Sequence, residues 1–278
     1  MLSARATTGT NRELACYKKG GLRVAEQWLD EPLLHPSGCD VLLLHQYSRA
    51  PKGAFSSPFT TLVVDLTQSE DALLQGLNRD TKYKVRRAET KDEVICVQEP
   101  AVTDEVCLRL KAFYDEFAAA KGVTRIPAEE LLARGRAGAL RVSRAEYRGE
   151  TVVWHAHAAT DERATLLYSA SHFRQLDDND TKAAIGRANR LLHWKDMLAF
   201  RAEGRKVYDF GGWYAGTEDR ALLSINQFKE GFGGVRADQV NGAIALSWRG
   251  WLFLRLRQAL SPAQRKRLKQ RLSSFLRR

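Results

Sequence analysis

Three β-type runs follow one another between Ala139 and Ser171 with almost no chain between them: ALRVSRAEYRG (139–149), ETVVWHAHAA (150–159) and RATLLYSAS (163–171). Their β-branched and aromatic residues favour strands, and Gly149 and Asp161 supply tight turns. Connections this short allow only antiparallel neighbours, because a parallel return needs a crossover of about a dozen residues. The chain therefore contains a meander, which needs other elements to cover it. Thr103 caps a helix whose Val106, Leu110, Phe113, Tyr114 and Phe117 form a helical-period apolar stripe ending near Gly122, and a short helix follows Pro127. Downstream, Thr181 to Glu203 reads as a long helix and Lys206 to Phe210 as a strand opening into Gly211 and Gly212. Leu222 to Glu230 is a helix closed by GFGG, and a last strand covers about 235–247. This is an α+β (α/β) layer pattern, a mixed sheet covered by helices.

The first 40 residues give mixed signals, with LRVAEQWLDEPLL readable as a helix or an irregular segment. VLLLHQY (41–47) and TLVVDL (61–66) read as short strands separated by the turn-rich SRAPKGAFSSPF. Ser69 begins a helix with Glu70 and Asp71 in its first turn, where the helix dipole favours acids. That helix runs to about Lys91, and EVICVQEP (93–100) follows as a strand. The chain divides on this reading into 1–100, 101–247 and a C-terminal extension, 248–278.

Composition, 44% hydrophobic and 28% charged, is that of an ordinary folded chain. The longest apolar stretches, VLLL at 41–44 and WLFL at 251–254, fall far short of the ~20 residues of a membrane helix. The polar start MLSARATTGTNRELA lacks the apolar centre of a secretory signal, so a cytoplasmic location is expected. Cys16, Cys39, Cys96 and Cys107 form no CxxC and have no histidine at zinc-finger spacing. They are expected to be reduced, mostly buried thiols, and no metal is expected.

Net charge is +11, yet ten Lys or Arg and no acid follow Asp238, which leaves the first 238 residues at +1. The body is nearly neutral and the tail carries the charge, so net charge alone does not make the body a nucleic-acid-binding surface. Ser261 and Pro262 open a final helix with Leu268, Leu272, Phe275 and Leu276 on one face and Arg265, Lys266, Lys269 and Arg271 on the rest. Together with Trp248, Trp251 and Phe253, residues 248–278 read in one of two ways. They form an anchor lying on an anionic membrane surface, or a terminal helix docked on the body with a solvated basic face.

The most informative stretch is YDFGGWY (208–214), followed by INQFKEGFGG (225–234). The strand sends Tyr208 and Phe210 to one side and Asp209 to the other, and two glycines then permit close backbone approach by a ligand. Phe228 and Lys229 follow on a short helix. A lysine there either stabilises a phosphate or developing oxyanion, or is a surface lysine on a capped helix. Asp209 is a base or a turn-organising carboxylate. His155 and His157, two apart on a strand, share a face and are a general base, the beginning of a metal site without an evident third ligand, or packed structural histidines. No G-x-S-x-G elbow, P-loop, HExxH or dinucleotide fingerprint occurs.

These segments resemble the peptidoglycan-bridge aminoacyltransferases, the Fem-type branch of the GNAT acyltransferase superfamily, whose second lobe carries a YDFGG strand and a downstream FK-x-x-FGG element. LNRDTKYKVRRAETKDEVICV (77–97) is similar to the family's first-lobe basic helix and strand, and GRANRLLHWKDMLAFRAEGRKVYDFGG (186–212) to the helix leading into the glycine strand. The resemblance covers about residues 60–240. It implies twin GNAT-like lobes, here with a reduced N-terminal lobe (1–100), a catalytic lobe (101–247) and a basic C-terminal helix. It further implies an activated acyl donor and an amine acceptor, such as a peptidoglycan or other cell-envelope precursor or a secondary-metabolite precursor.

By resemblance Lys229 stabilises the oxyanion, Phe228 shapes the adjacent wall, and Tyr208, Gly211, Gly212 and Trp213 lie against substrate. Lys82, Arg86 and Arg87 stand in a segment that in the family reads R-x-x-I-R-x-A and lies near acceptor phosphates. Lys82 replaces the usual arginine, and a lysine offers a point charge rather than a bidentate fork. CoA-dependent GNAT enzymes carry a Q/R-x-x-G-x-G/A pyrophosphate loop. The corresponding SASHFRQLDDNDTKAA contains no glycine. Aminoacyl-tRNA is therefore preferred over acyl-CoA as donor, with no permanently bound cofactor.

Overall fold

The computed structural model describes residues 14–29, 32–172 and 178–259. The helix expected from Ser261 onward, most of the polar start and the middle of SASHFRQLDDNDTKAA lie outside the described residues. The elements run β1 (Cys16–Lys19), β2 (Leu22–Trp28), β3 (Val41–Tyr47), β4 (Phe55–Asp65), α1 (Glu70–Gly76), α2 (Arg79–Thr90), β5 (Ile95–Gln98), α3 (Asp104–Lys121) and α4 (Ala128–Arg136). They continue as β6 (Leu140–Tyr147), β7 (Glu150–Ala159), β8 (Arg163–Ser171), α5 (Asn179–Ala202), β9 (Val207–Gly212), α6 (Arg220–Glu230), β10 (Val235–Ala245) and α7 (Trp248–Ala259).

Backbone contacts divide the chain into two compact units with boundaries near residues 57 and 240, not at 100 and 247. The reason is a long-range pairing: β10, from Val240 on, lies antiparallel to β3. In this first unit β1 and β2 form a hairpin over Gly20 and Gly21, and β2 runs parallel to β3. The stretch 22–28 is thus a strand. Leu22 and the run Val24 to Gln27 are all buried, which erases the period-two alternation that would have announced it. At the start of α7, Ser247 Oγ donates to Asp40 at 2.6 Å and accepts from the Gly250 amide at 3.1 Å.

The second unit carries strands in the order β4-β9-β8-β7-β6-β5. Its β8–β9 pair is parallel and the other pairs are antiparallel, which makes the sheet mixed. The 139–171 meander is present with its expected strands, and Thr103 and Gly122 cap α3 as expected, Gly122 at φ +71°. Consecutive residues of β7 feed two different cores. Val153 packs with α1, α2 and α5 through Leu73, Val85, Leu191 and Leu192, while Trp154 packs with α3 and α4 through Leu110 and Leu131.

Two local expectations are corrected. β4 begins at Phe55, inside the stretch read as turn-rich. The helix expected from Ser69 to Lys91 is two helices, because Asn78 leaves the helical conformation to cap α2, accepting from the Thr81 amide at 2.8 Å and donating its own amide to Gly231 at 2.9 Å. Of the four cysteines, Cys39 and Cys107 are buried but Cys16 is exposed.

Candidate active site

The parallel pairing of β8 with β9 runs only from Arg163–Val207 to Thr165–Asp209, although β8 continues to Ser171 and β9 to Gly212. Asp209 fixes this end of β9. Fully buried, it accepts from Thr61 Oγ1, from the Gly211 amide at 2.7 Å and from Arg163 at 3.4 Å. The carboxylate thereby folds the backbone into Gly211, which takes φ +70° with an ideal Cβ position only 2.9 Å from the Leu166 carbonyl. Only glycine fits.

Beyond this point lies a cavity of about 520 Å³, lined by Leu166 and Ser169 of β8, Phe210 of β9, Asn189 and His193 of α5, and Phe228 and Lys229 of α6. Asp219 caps α6. The other end is held by glycines: a Cβ on Gly231 would meet Thr81 Oγ1 at 2.4 Å, and one on Gly233, at φ +77°, would meet the Gly76 carbonyl at 2.3 Å. The GFGG element therefore seats α6 against the α1–α2 corner, and that seating aims Lys229.

Lys229 is 8% exposed, and its Nζ donates to the Gly211 carbonyl at 3.1 Å and the Gly212 carbonyl at 2.5 Å. Burial pushes its pKa down to about 8, with the Asp209 charge acting the other way. Hydrogen bonds from a charged donor contribute about 1.5–3 kcal/mol each, which keeps this ammonium viable in a half-dry wall. Two of its three donors are engaged, leaving one for a ligand.

Behind the cavity two arms lead toward Asp196 of α5, of which only the first reaches it through hydrogen bonds. In the first, Asn189 Oδ1 lies 2.8 Å from His155 Nε2, and His155 Nδ1 lies 2.7 Å from Asp196. In the second, His193 Nδ1 is 2.7 Å from the Tyr208 hydroxyl, which is 3.0 Å from His157 Nε2, itself 3.8 Å from Asp196. Burial drives the Asp196 pKa upward, but the hydrogen bond from His155, the facing imidazoles and a hydrogen bond from Gln98 outweigh it, and the carboxyl stays ionised. Burial also pushes His157 down to about 3 and His193 well below the usual imidazole range, so both rings are neutral. Tyr208 is driven well above the usual phenol range by burial and by the Asp196 and Asp209 charges.

The structure thus brings Lys229 and Phe228 to the cavity wall together with Gly211 and Gly212, whose carbonyls hold the lysine. Asp209 organises the turn. Tyr208, His155 and His157 are fully buried behind the wall. Trp213 stacks under Arg236 at 5.3 Å and bonds through its amide to Thr60. Arg86 and Arg87 line a separate groove of about 550 Å³ on α2 with Tyr83, Thr90 and Lys91, and Lys82 is half-buried beside it on the same helix.

Four residues of α5 belong to the site without having been singled out from sequence: Asn189, Arg190, His193 and Asp196. Arg190 stacks over Phe228 at 4.7 Å. A signal was present, because Asn189, His193 and Asp196 fall at i, i+4 and i+7, a polar trio within an otherwise apolar helical stripe.

Asp196 also supplies the third group missing from the His155–His157 pair, their donor atoms all lying within 4.8 Å of one another. Histidine and carboxylate donors suit a divalent transition metal, but tetrahedral ligands at zinc distances stand about 3.3 Å apart. The 2.7 Å between His155 and Asp196 is a hydrogen bond, and His157 is turned to Tyr208.

The fold is similar to that of a solved structure, FemX. The crystal structure of FemX superposes with a TM-score of 0.54 at 12% identity, over 66% of this chain and 61% of FemX. This chain therefore spans about three-fifths of the FemX length. A conserved protein of unknown function from Bacteroides thetaiotaomicron gives 0.48 at 8% identity over 70% of this chain and 63% of that one. A tandem GNAT protein from the clavulanic acid biosynthesis pathway gives 0.40 at 14% identity over 83% and 81%. No family model and no curated protein matches the sequence.

Proposed function

We propose that this protein is an N-acyltransferase that passes an aminoacyl or acyl group from an activated donor to the amine of a cell-envelope or secondary-metabolite precursor, forming an amide. The observation carrying this reading is the Lys229 ammonium, buried at the wall of the β8–β9 cavity with one donor uncommitted. A cation fixed beside a reacting carbonyl stabilises the oxyanion of the tetrahedral intermediate, and it does so most strongly where water is scarce. Phe228 and Phe210 make the wall apolar.

Aminoacyl-tRNA is the preferred donor. A pyrophosphate needs open amides at a helix start. At the start of α5 the Asp178 carboxylate already accepts from the amides of Asp180 and Thr181, at 3.0 and 3.1 Å. An anion held there repels the pyrophosphate of CoA. The basic groove on α2 around Arg86 and Arg87 is suited to phosphates of tRNA or of a phosphorylated acceptor.

α7 supports a peripheral location at an anionic membrane. Trp248, Trp251, Leu252, Phe253 and Leu256 are all exposed on it among Arg249, Arg255 and Arg257. No described helix is long and apolar enough to cross a membrane.

The test is amide formation by purified protein supplied with alanyl-tRNA or acetyl-CoA and a panel of amine acceptors, with and without RNase. Product that depends on alanyl-tRNA and disappears with RNase supports the reading; product formed from acetyl-CoA alone replaces the donor; no product from either removes the acyltransferase.

A further inference from the structure

Acyl transfer to an amine needs a group that handles a proton, and Lys229, committed to two carbonyls as a cation, is not suited to it. His193 is. Its ring is 1% exposed, lines the same cavity as Lys229, and packs against Phe210 and Phe228 with ring centroids at 5.0 and 5.4 Å. Its Nδ1 is fixed by Tyr208 at 2.7 Å, which leaves Nε2 as the ring atom available to a bound ligand.

The Tyr208 hydroxyl has one proton and two imidazole neighbours, so it donates to one and accepts from the other. When it donates to His157 Nε2, Nδ1–H of His193 donates to the Tyr208 oxygen and Nε2 carries a lone pair.

We propose that His193 is the proton shuttle of this cavity, with Tyr208 as its positioning residue, an assignment that rests on the acyltransferase reading above. Attack of the neutral amine on the donor carbonyl carbon forms the C–N bond and puts the electron pair of the C=O bond on oxygen, beside Lys229. The proton of the resulting ammonium passes to His193 Nε2, giving an imidazolium whose Nδ1–H remains on the Tyr208 oxygen. Collapse re-forms the carbonyl and breaks the bond to the leaving oxygen or sulfur, which receives that same proton from Nε2. The protein ends with the protons it began with. The neutral resting ring follows from burial first, with His155, His157, Lys229 and Arg190 adding to it. Asp196, 3.8 Å from His157, supplies the negative charge that steadies the transient cation at the far end of the arm.

The experiment has two arms on the full chain. In the first, diethyl pyrocarbonate, which acylates only a ring nitrogen with a free lone pair, is followed by peptide mapping. His193 is expected to be modified well before the enclosed His155 and His157, and an unmodified His193 overturns the proposal whatever the activity. In the second, His193→Asn keeps an amide at the Nδ1 position for Tyr208 and removes Nε2. With whichever of alanyl-tRNA or acetyl-CoA the wild type uses, kcat is expected to fall ~10²- to 10⁴-fold with donor KM unchanged. Tyr208→Phe, which leaves Nε2 in place, is expected to lose less. Undiminished kcat in a folded His193→Asn overturns the shuttle while leaving the acyltransferase intact. A wild type inactive with both donors removes the acyltransferase reading itself, and the shuttle with it.

Discussion

The Nζ of Lys229 lies 2.5 Å from the carbonyl oxygen of Gly212, so the glycine pair that ends β9 is also the mount of the cavity's cation. Lys229→Ala is expected to lower kcat by ~10²-fold or more, the effect of removing an oxyanion donor. Lys229→Arg is expected to rescue little, because a planar fork does not place one donor on each of two adjacent carbonyls and a third in the cavity. Single-turnover rates with saturating donor check both, and a Lys229→Ala rate equal to wild type removes the lysine from the chemistry.

The pKa of about 8 gives this lysine a pH signature. Turnover that uses the ammonium falls as pH rises through about 8. Stability moves the other way. The unfolded lysine titrates near 10.5 and the folded one near 8, so between these values the unfolded chain binds more protons and stability rises with pH. Across that window the urea midpoint of wild type is expected to rise relative to that of Lys229→Met as pH increases.

Gly231 and Gly233 make unequal demands. Gly233→Ala sets a Cβ 2.3 Å from backbone at Gly76, on top of a positive φ that costs roughly 1–2 kcal/mol for alanine. Gly231→Ala meets the Oγ1 of the buried Thr81, without a positive φ. Gly204→Ala, at φ +83° in open space, carries the conformational cost alone. Gly233→Ala, which carries both costs, is expected to destabilise more than Gly204→Ala, which carries one. Urea denaturation measures it, and activity is expected to fall most in Gly233→Ala.

Membrane association through α7 predicts sedimentation with phosphatidylglycerol vesicles and little with phosphatidylcholine. Trp251→Ser with Phe253→Ser is expected to weaken vesicle binding while leaving turnover on a water-soluble acceptor unchanged. Equal binding by the double variant assigns the attachment to other residues.

Thiol reactivity distinguishes the cysteines. Cys39, with its Sγ 3.9 Å from Cys16 and its pKa drawn down to about 7 chiefly by its hydrogen bond with Cys16, is expected to react with iodoacetamide at neutral pH ahead of Cys96, whose thiol burial pushes up to about 12. Peptide mapping after brief labelling reads the order.

What was legible in the sequence was whatever is decided locally. The caps at Thr103 and Gly122, the turns of the meander and the glycine pair after Phe210 are chemistry between residues a few positions apart. The break between α1 and α2 was hidden because Asn78 answers to Gly231, more than 150 positions away. Strand β2 was hidden by burial on both faces. In the site, the motif located Lys229 and the glycines, and strand period two correctly put His155 and His157 on one face, toward α5. What they face was signalled only by the spacing of Asn189, His193 and Asp196 in a stripe whose apolar neighbours dominate its reading, and only folding aligns that stripe with Tyr208.

The glycine seat under α6 ties the placement of a charge to a part of the chain that has no chemistry of its own. Gly76 and Thr81 line neither the cavity nor the basic groove, yet a bulge at either would tilt the spoke that carries Lys229 and shift its tip at the cavity wall. The α1–α2 corner is a fulcrum, and the tolerance for variation there is set by lever arithmetic rather than by what a substrate touches.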